Sequence, residues 1–365
     1  MKSPIIFLLM LFNLNVFGAE IEVMSYNVEN LFDTEHDNGK NDWAFLPKGT
    51  SNKREQCKNQ NSRRRIEECL NLDWDKDALK AKLMTISKVI KSRGKLPDIL
   101  GIIEIENENV LSMLAKALGY EDYLITNSPD QRGIDVALLF KEKKGLKYIT
   151  HKEYVLRAKY FNKKPTRNIL EVVFKVDDKY PLSVIVNHWP SQSNPDEARA
   201  VAAKNLLVRI KKGLQKNPNH KFLVMGDFNT AKDDHPHPFR RYWYKNNFLN
   251  DVATMFLRSE NVDRKEKSMM PKGTYFYVGG MEWNHLDRFF VTKNLINQSD
   301  VSVDVSSFEI YAPSFLTSTF TYTDPDNFLY GTQILRTPKR YNHREKNPAK
   351  AGYSDHFPII VKLKY

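Results

Sequence analysis

Cysteine is scarce in this sequence, with only Cys57 and Cys69 among 365 residues. That excludes a cysteine-rich scaffold. With no second cysteine or histidine pair at ligand spacing nearby, it also disfavours a zinc site. No Pro/Gly/Ser-rich linker and no repeat period divides the chain, so residues 20–365 are expected to form one domain with loop insertions. A bilayer-spanning apolar run is missing too. The longest candidate, Ile5 to Phe12, follows Lys2 and gives way to Asn13, Asn15 and Phe17-Gly18-Ala19. Residues 1–19 therefore read as a secretory signal peptide, and the protein as exported, periplasmic or extracellular, with no stable membrane insertion. In an oxidising compartment the lone cysteine pair is expected to close a disulfide.

Acidic residues are outnumbered as well, 44 against 56 Lys and Arg, for a formal charge of +12. Such a surface attracts nucleic acid or another polyanion. The excess is concentrated in two stretches. One holds Lys53, Arg54, Lys58, Arg63, Arg64 and Arg65, inside a polar insertion at about 38–73 that also carries both cysteines. The other holds Lys339, Arg340, Arg344 and Lys346.

Apolar residues at helical spacing predict helices over 75–92, 109–118 and 196–216. Alternating or continuous apolar runs predict strands over 21–26, 97–103, 135–140, 169–176, 182–186, 222–225 and 286–291, with a last one ending the chain. Many strands interspersed with helices indicate an α/β architecture. The segment 254–273 gives no assignment. Tyr275-Phe276-Tyr277-Val278-Gly279-Gly280 is an aromatic stretch expected to pack in the core or at a rim rather than to enter lipid.

Polar clusters break these runs at their ends: Ser25-Tyr26-Asn27, Ile103-Glu104, Asn187-His188-Trp189, Gly226-Asp227-Phe228-Asn229, His285-Leu286-Asp287 and Ser354-Asp355-His356. Hard oxygen donors without a thiolate suit Mg²⁺, or alternatively Mn²⁺ or Ca²⁺. Two imidazoles among carboxylates suit proton transfer near neutral pH. Together they point to metal-assisted hydrolysis of a phosphoester.

The same motifs, in this order and over nearly the whole chain, resemble the endonuclease/exonuclease/phosphatase superfamily, and within it the deoxyribonuclease I-like branch of bacterial secreted nucleases. The resemblance implies a four-layer α/β sandwich, with two packed mixed β-sheets flanked by helices. It implies Glu104 and Asn27 as metal ligands with Asp355 close by. Asp227 and Asn229 would position the attacking water and the phosphate. His356 would pair with Asp287, and His188, oriented by Asp135, would be the acid toward the leaving oxygen. Arg167 would bind phosphate. Val224 and Trp283-Asn284-His285-Leu286-Asp287-Arg288 depart from the inositol 5-phosphatase signatures. The reading is a nuclease acting on DNA, with RNA left open; the alternative is a sphingomyelinase-like lipid phosphodiesterase or a phosphomonoesterase of the same fold. Nucleic acid is the expected partner, no protein partner is implied, and the expected state is a monomer.

Overall fold

Two six-stranded mixed sheets form the centre of the molecule. A computed structural model of the protein describes residues 19–159, 161, 164–244, 247–323 and 332–365. The expected leader lies outside them except for Ala19. In the first sheet the strands are β1 (Glu20–Leu31), β2 (Ile99–Ile105), β3 (Asp122–Ile125), β4 (Asp135–Phe140), β13 (Ser302–Ile310) and β16 (Ile359–Lys364). In the second they are β5 (Leu146–Tyr154), β6 (Ile169–Val176), β7 (Tyr180–His188), β8 (Lys221–Asp227), β9 (Leu249–Asp251) and β12 (Asp287–Thr292). The first sheet has the order β13-β16-β1-β2-β4-β3 and the second β5-β6-β7-β8-β12-β9. Each sheet has one central parallel pair, β1 with β2 and β7 with β8, flanked by antiparallel neighbours. Two small hairpins stand apart: β10 (Tyr275–Tyr277) with β11 (Glu282–Asn284), and β14 (Thr317–Thr323) with β15 (Thr332–Pro338).

The sheets pack face to face. Leu182, Val184 and Val186 of β7, and Leu223 and Met225 of β8, enter the main core facing Val23, Ile99 and Ile103 of the first sheet. The alternate residues Ile185, Phe222 and Val224 turn outward against Ala198, Ala202, Leu206 and Ile210 of the helix Asp196–Lys216. Burial on both faces explains why these strands read as continuous apolar runs. On the first sheet's outer side lie the helices Lys76–Lys91 and Glu108–Leu118. Each begins at a side-chain cap: Asp75 accepts from the amides of Asp77 and Ala78, and Asn107 from that of Val110. The four layers are those expected. No helix among the described residues is long and apolar enough to cross a membrane.

The stretch 254–273, unassigned from sequence, contains the short helices Val252–Arg258 and Arg264–Met269, too short for a 3.6-residue period to show. The insertion is likewise more ordered than its polarity suggests. Helices Lys53–Lys58 and Arg63–Asn71 are joined by the Cys57–Cys69 disulfide, with both cysteines fully buried. Lys53 is not a surface cation. Its ammonium is buried and donates to the carbonyls of Leu46 (2.5 Å), Leu72 (2.7 Å) and Ala44 (3.3 Å), and burial lowers its pKa to about 8. Lys53→Ala is expected to leave those carbonyls without a donor and cost about 2–3 kcal/mol, read as a lower Tm.

A candidate active site where the two sheets open

The inward periodicity of β7, β8 and β12 places His188, Asp227 and Asp287 on the core-facing side at one end of the second sheet. The register sets them in a single row, with Asp227 opposite His188 on one side and Asp287 on the other. Each is flanked by residues that turn outward. Trp189, Phe228 and Phe290 join Phe239 and Trp243 in an aromatic cluster, with Trp189 and Phe228 meeting edge to face at 4.9 Å. That cluster anchors the loops leaving β7 and β8. Phe228→Ala is expected to cost about 3–5 kcal/mol, measured by denaturant titration, because an enclosed ring is replaced by a cavity.

The chain at Gly226 explains how the row is reached. Its φ is +129°, and a Cβ there would lie 2.0 Å from the Asn187 carbonyl oxygen. Only glycine fits, so Asp227 can enter the row directly beside β7. Gly226→Ala is therefore expected to lower stability by about 3 kcal/mol or more in a thermal melt and to displace Asp227.

The first sheet contributes from the opposite side. At Glu104 the pairing of β2 shifts register, and its φ of +67° lies in the left-handed region. This irregularity aims the carboxylate across the gap, with Oε1 3.6 Å from His188 Nε2. Asp227 Oδ2 lies 3.7 Å from the same nitrogen. Among the described residues, Glu104, His188 and Asp227 bring one ligand atom each within 4.8 Å of one another.

Asp227 is the hub. Its Oδ2 accepts from Asn27 Nδ2 and from Asn229 Nδ2, both at 3.1 Å, and its Oδ1 accepts from the Asn229 amide at 2.8 Å. Burial raises its pKa to about 7, although His356 pulls the other way. The imidazole of His356 is held by Asp287, Nδ1 to Oδ2 at 2.7 Å, and its Nε2 faces Asp355 Oδ1 (3.8 Å) and Asp227 Oδ2 (4.0 Å). Burial opposes its charge, but Asp287, Asp355 and Asp227 outweigh that and raise its pKa well above the usual value.

His188 is the opposite case. Burial and the positive charges of Arg167 and Arg132 hold its pKa well below the usual value. The expected partnership with Asp135 is not made. Asp135 Oδ1 accepts from the hydroxyls of Thr126 and Ser128 and from the Ser128 amide (3.0 Å), while His188 Nδ1 is buried without a hydrogen-bond partner. Asp135→Asn is accordingly expected to change turnover less than about tenfold, below the range of general acid–base groups. A loss of several hundredfold would put it back beside His188.

Two further expectations are revised by the geometry. Asn27 offers its amide nitrogen to Asp227, and its Oδ1 accepts from the Glu29 amide at 3.0 Å, so its oxygen is already engaged. Arg167 is buried and spent on the scaffold, donating to Asp130 (3.2 Å), to the His188 carbonyl (3.2 Å) and to that of Trp189. It fixes the turn that carries His188 rather than presenting a free phosphate clamp. Arg132, side chain 46% exposed, lines the cavity that holds Glu104, His188 and Asp227 instead, three residues before Asp135.

Arg340 was legible as part of a basic stretch but not as a site residue. It donates to Glu29 Oε1 at 2.7 Å and approaches Asp355 Oδ2 at 3.0 Å. Tyr275 lies beside His356, ring centroids 5.0 Å apart, while Phe276 packs inward against Trp283 and Phe320. The aromatic stretch is thus partly core and partly cavity rim, since Tyr277 lines the same cavity.

The sequence model of the Endonuclease/Exonuclease/phosphatase family matches residues 22–365. The chain belongs to this family. The family is one of hydrolytic phosphoesterases, usually metal-dependent. No curated protein matches the sequence. Among solved structures, the human Nocturnin catalytic domain with bound sulfate is similar at 15% identity and a TM-score of 0.53, covering 94% of each chain. A mannosyl-6-phosphatase of Bacteroides thetaiotaomicron is similar at 14% and 0.51, covering 94% of this chain and all of that one. D. rerio TDP2 complexed with single strand DNA product is similar at 14% and 0.50, covering 95% of this chain and 100% of that one. At these identities the likeness to each structure concerns the fold.

Proposed function

We propose that this phosphoesterase is an exported, divalent-metal-dependent phosphodiesterase whose substrate is nucleic acid, DNA first and RNA also. The observation that carries the reading is the convergence of Glu104, His188 and Asp227, beside the Asp287–His356 pair, at the mouth of the two sheets. The residues fit a hard cation. Asp227 is buried and Asp355 partly so, both have raised pKa values, and Glu104 lies close enough to raise each further, so a cation among them would relieve the repulsion. Glu104 and Asp227 would hold it, with Asp355 and the neutral imidazole of His188 at hand. Mg²⁺ is the expected ion, with Mn²⁺ or Ca²⁺ as alternatives; when bound, it polarises a phosphoryl oxygen and offsets developing charge.

The chain's own groups supply the rest. Asp227, oriented by two amide side chains, accepts the proton of a water whose oxygen bonds to phosphorus as the phosphorus–leaving-oxygen bond breaks, the leaving oxygen taking a proton from solvent. His356, a charged imidazolium locked by Asp287, donates from Nε2 toward phosphoryl oxygen. His188, its pKa held low, is a neutral neighbour of Glu104 (3.6 Å) and Asp227 (3.7 Å) rather than a charged acid. Net positive charge favours a polyanionic substrate over a neutral one. A DNA product in a similar structure accords with that preference. The mannosyl-6-phosphatase likeness keeps a sugar phosphomonoester as the second reading.

The test is purified mature protein with each of the three ions, given plasmid DNA, single-stranded DNA, RNA, sphingomyelin and mannose 6-phosphate in parallel. The reading expects nucleic acid to be hydrolysed with the highest kcat/KM. Preference for the sugar phosphate would replace it. Export is supported by the leader-like sequence and the disulfide, and recovery of protein lacking residues 1–19 outside the cytoplasm would check it.

A further inference from the structure

Beside the catalytic cavity lies a second one of about 650 Å³, within the range of roughly 300–1,000 Å³ typical of small-ligand sites. The two share Arg132, Ser191 and Ser193, so they are continuous. One wall is the disulfide-pinned insertion, residues 59–65. The other is residues 164–167. The insertion is tied to the floor by the Asn41 amide, which donates to the Gln131 carbonyl at 2.7 Å, and by paired side-chain amides of Asn41 and Gln60.

Its charges are arranged unevenly. Arg63 and Arg64 are almost fully exposed and paired along their helix with Glu67 and Glu68. Arg65, one residue on, turns into the cavity. Among the described residues the side chains of Arg65 and Lys164 have no carboxylate partner, while Arg132 makes only a 3.8 Å contact to Asp130. The one carboxylate in the lining, Asp130, is already neutralised by Arg167. The cavity therefore presents uncompensated cations and amide groups to solvent, directly beside the reacting centre.

We propose that this cavity is a subsite for the phosphate groups that flank the scissile one in an extended phosphodiester, with Arg65, Lys164 and Arg132 as its cationic contacts. It rests on the reading of the protein as a phosphodiesterase. On this view the insertion is part of the substrate site, and the disulfide keeps its wall in place. Chain length, not base identity, is what the subsite recognises, because phosphate contacts position without reading sequence.

The experiment separates this subsite from the activity itself. Binding of a fluorescein-labelled single-stranded hexanucleotide to the mature protein is measured by anisotropy in EDTA, across a salt series. Arg65→Ala/Lys164→Ala is expected to weaken binding about tenfold and to flatten the salt dependence by about 1.4 in log–log slope, roughly 0.7 for each phosphate no longer neutralised. Arg63→Ala/Arg64→Ala should stay within about twofold of wild type. Hydrolysis of bis(p-nitrophenyl) phosphate with Mg²⁺ should be unchanged in both, which also shows that the variants are folded. Equal affinity and slope for the first variant and wild type would overturn the subsite. Unlabelled hexanucleotide and fructose 1,6-bisphosphate are then compared as competitors. Stronger displacement by the sugar bisphosphate would overturn the assignment to a phosphodiester chain. Failure of the wild type to hydrolyse the hexanucleotide with Mg²⁺ would count against the nucleic-acid reading alone, since the binding result stands without turnover.

Discussion

Asp227→Asn should lower kcat on a nucleic-acid substrate by about 10³-fold, near 4 kcal/mol of transition-state stabilisation. The substitution is nearly isosteric. It exchanges a carboxylate oxygen for an amide group at a point that already receives Asn27 Nδ2, Asn229 Nδ2 and the Asn229 backbone amide. The hub would then carry an NH₂ among groups that are all donors, and could neither take a proton nor favour a cation. The fold should survive, because relieving a buried carboxylate that sits between Glu104 and Asp287 removes repulsion. Tm is therefore expected to stay within a few degrees of wild type, the lost acceptor contacts and the lost repulsion offsetting one another, while turnover collapses. The pH profile provides a separate check. Asp227 has to be ionised to act, so with its pKa raised to about 7, kcat/KM at limiting metal should climb with pH through about 7. Saturating metal, which favours the carboxylate, should move that limb to lower pH. A thermally intact variant with turnover within tenfold of wild type would remove Asp227 from the chemistry.

The second large effect concerns the two histidines, which the structure makes unlike. His356→Ala should reduce kcat/KM by about 10³-fold on nucleic acid and on bis(p-nitrophenyl) phosphate alike, since a charge aimed at phosphoryl oxygen is needed whatever the leaving group. His188, its pKa held low by burial and by Arg167 and Arg132, is proposed to be a neutral neighbour of the reacting groups in place of the acid role that the resemblance implied. Its loss should therefore not be rescued by a nitrophenolate leaving group. Full rescue would restore the acid role to it. Asp287→Asn isolates the source of the His356 charge. The imidazole would keep an acceptor but lose the negative charge beside it, its pKa would fall, and the alkaline limb of the pH profile should shift to lower pH.

Asn27, Glu104, His188, Asp227, Asn229, Asp287, Asp355 and His356 could be picked out of the sequence because each interrupts an apolar run at a strand end. A polar residue just where a buried strand emerges is visible without knowing the partner strand. The pairings were less visible. Asp135 shares that signature, yet its partners Thr126 and Ser128 come from the loop after β3, which periodicity does not place in space. Arg167 has the chemistry of a phosphate ligand, but burial against Asp130 and two carbonyls decides its role, and burial of a cation is set by tertiary packing. The same holds for Lys53, read as surface charge and found satisfying three carbonyls. Glu104 was found by its place in the strand, but its left-handed backbone, which turns it toward His188, leaves no mark in the sequence. Arg132 and Arg340 carry no run to interrupt, and only the folded chain shows Arg132 lining the cavity and Arg340 against Asp355.

The central claim is that Glu104 and Asp227 hold a divalent ion on which phosphodiester hydrolysis depends. It is tested most directly by following cleavage of a defined single-stranded oligonucleotide by protein stripped with EDTA and then titrated with Mg²⁺, for wild type and Glu104→Gln. The stripped wild type is expected not to cleave and to recover on adding Mg²⁺, while a folded Glu104→Gln should recover about 10²-fold less or worse. Undiminished cleavage in EDTA, or a Glu104→Gln titration that overlays the wild type, would contradict it.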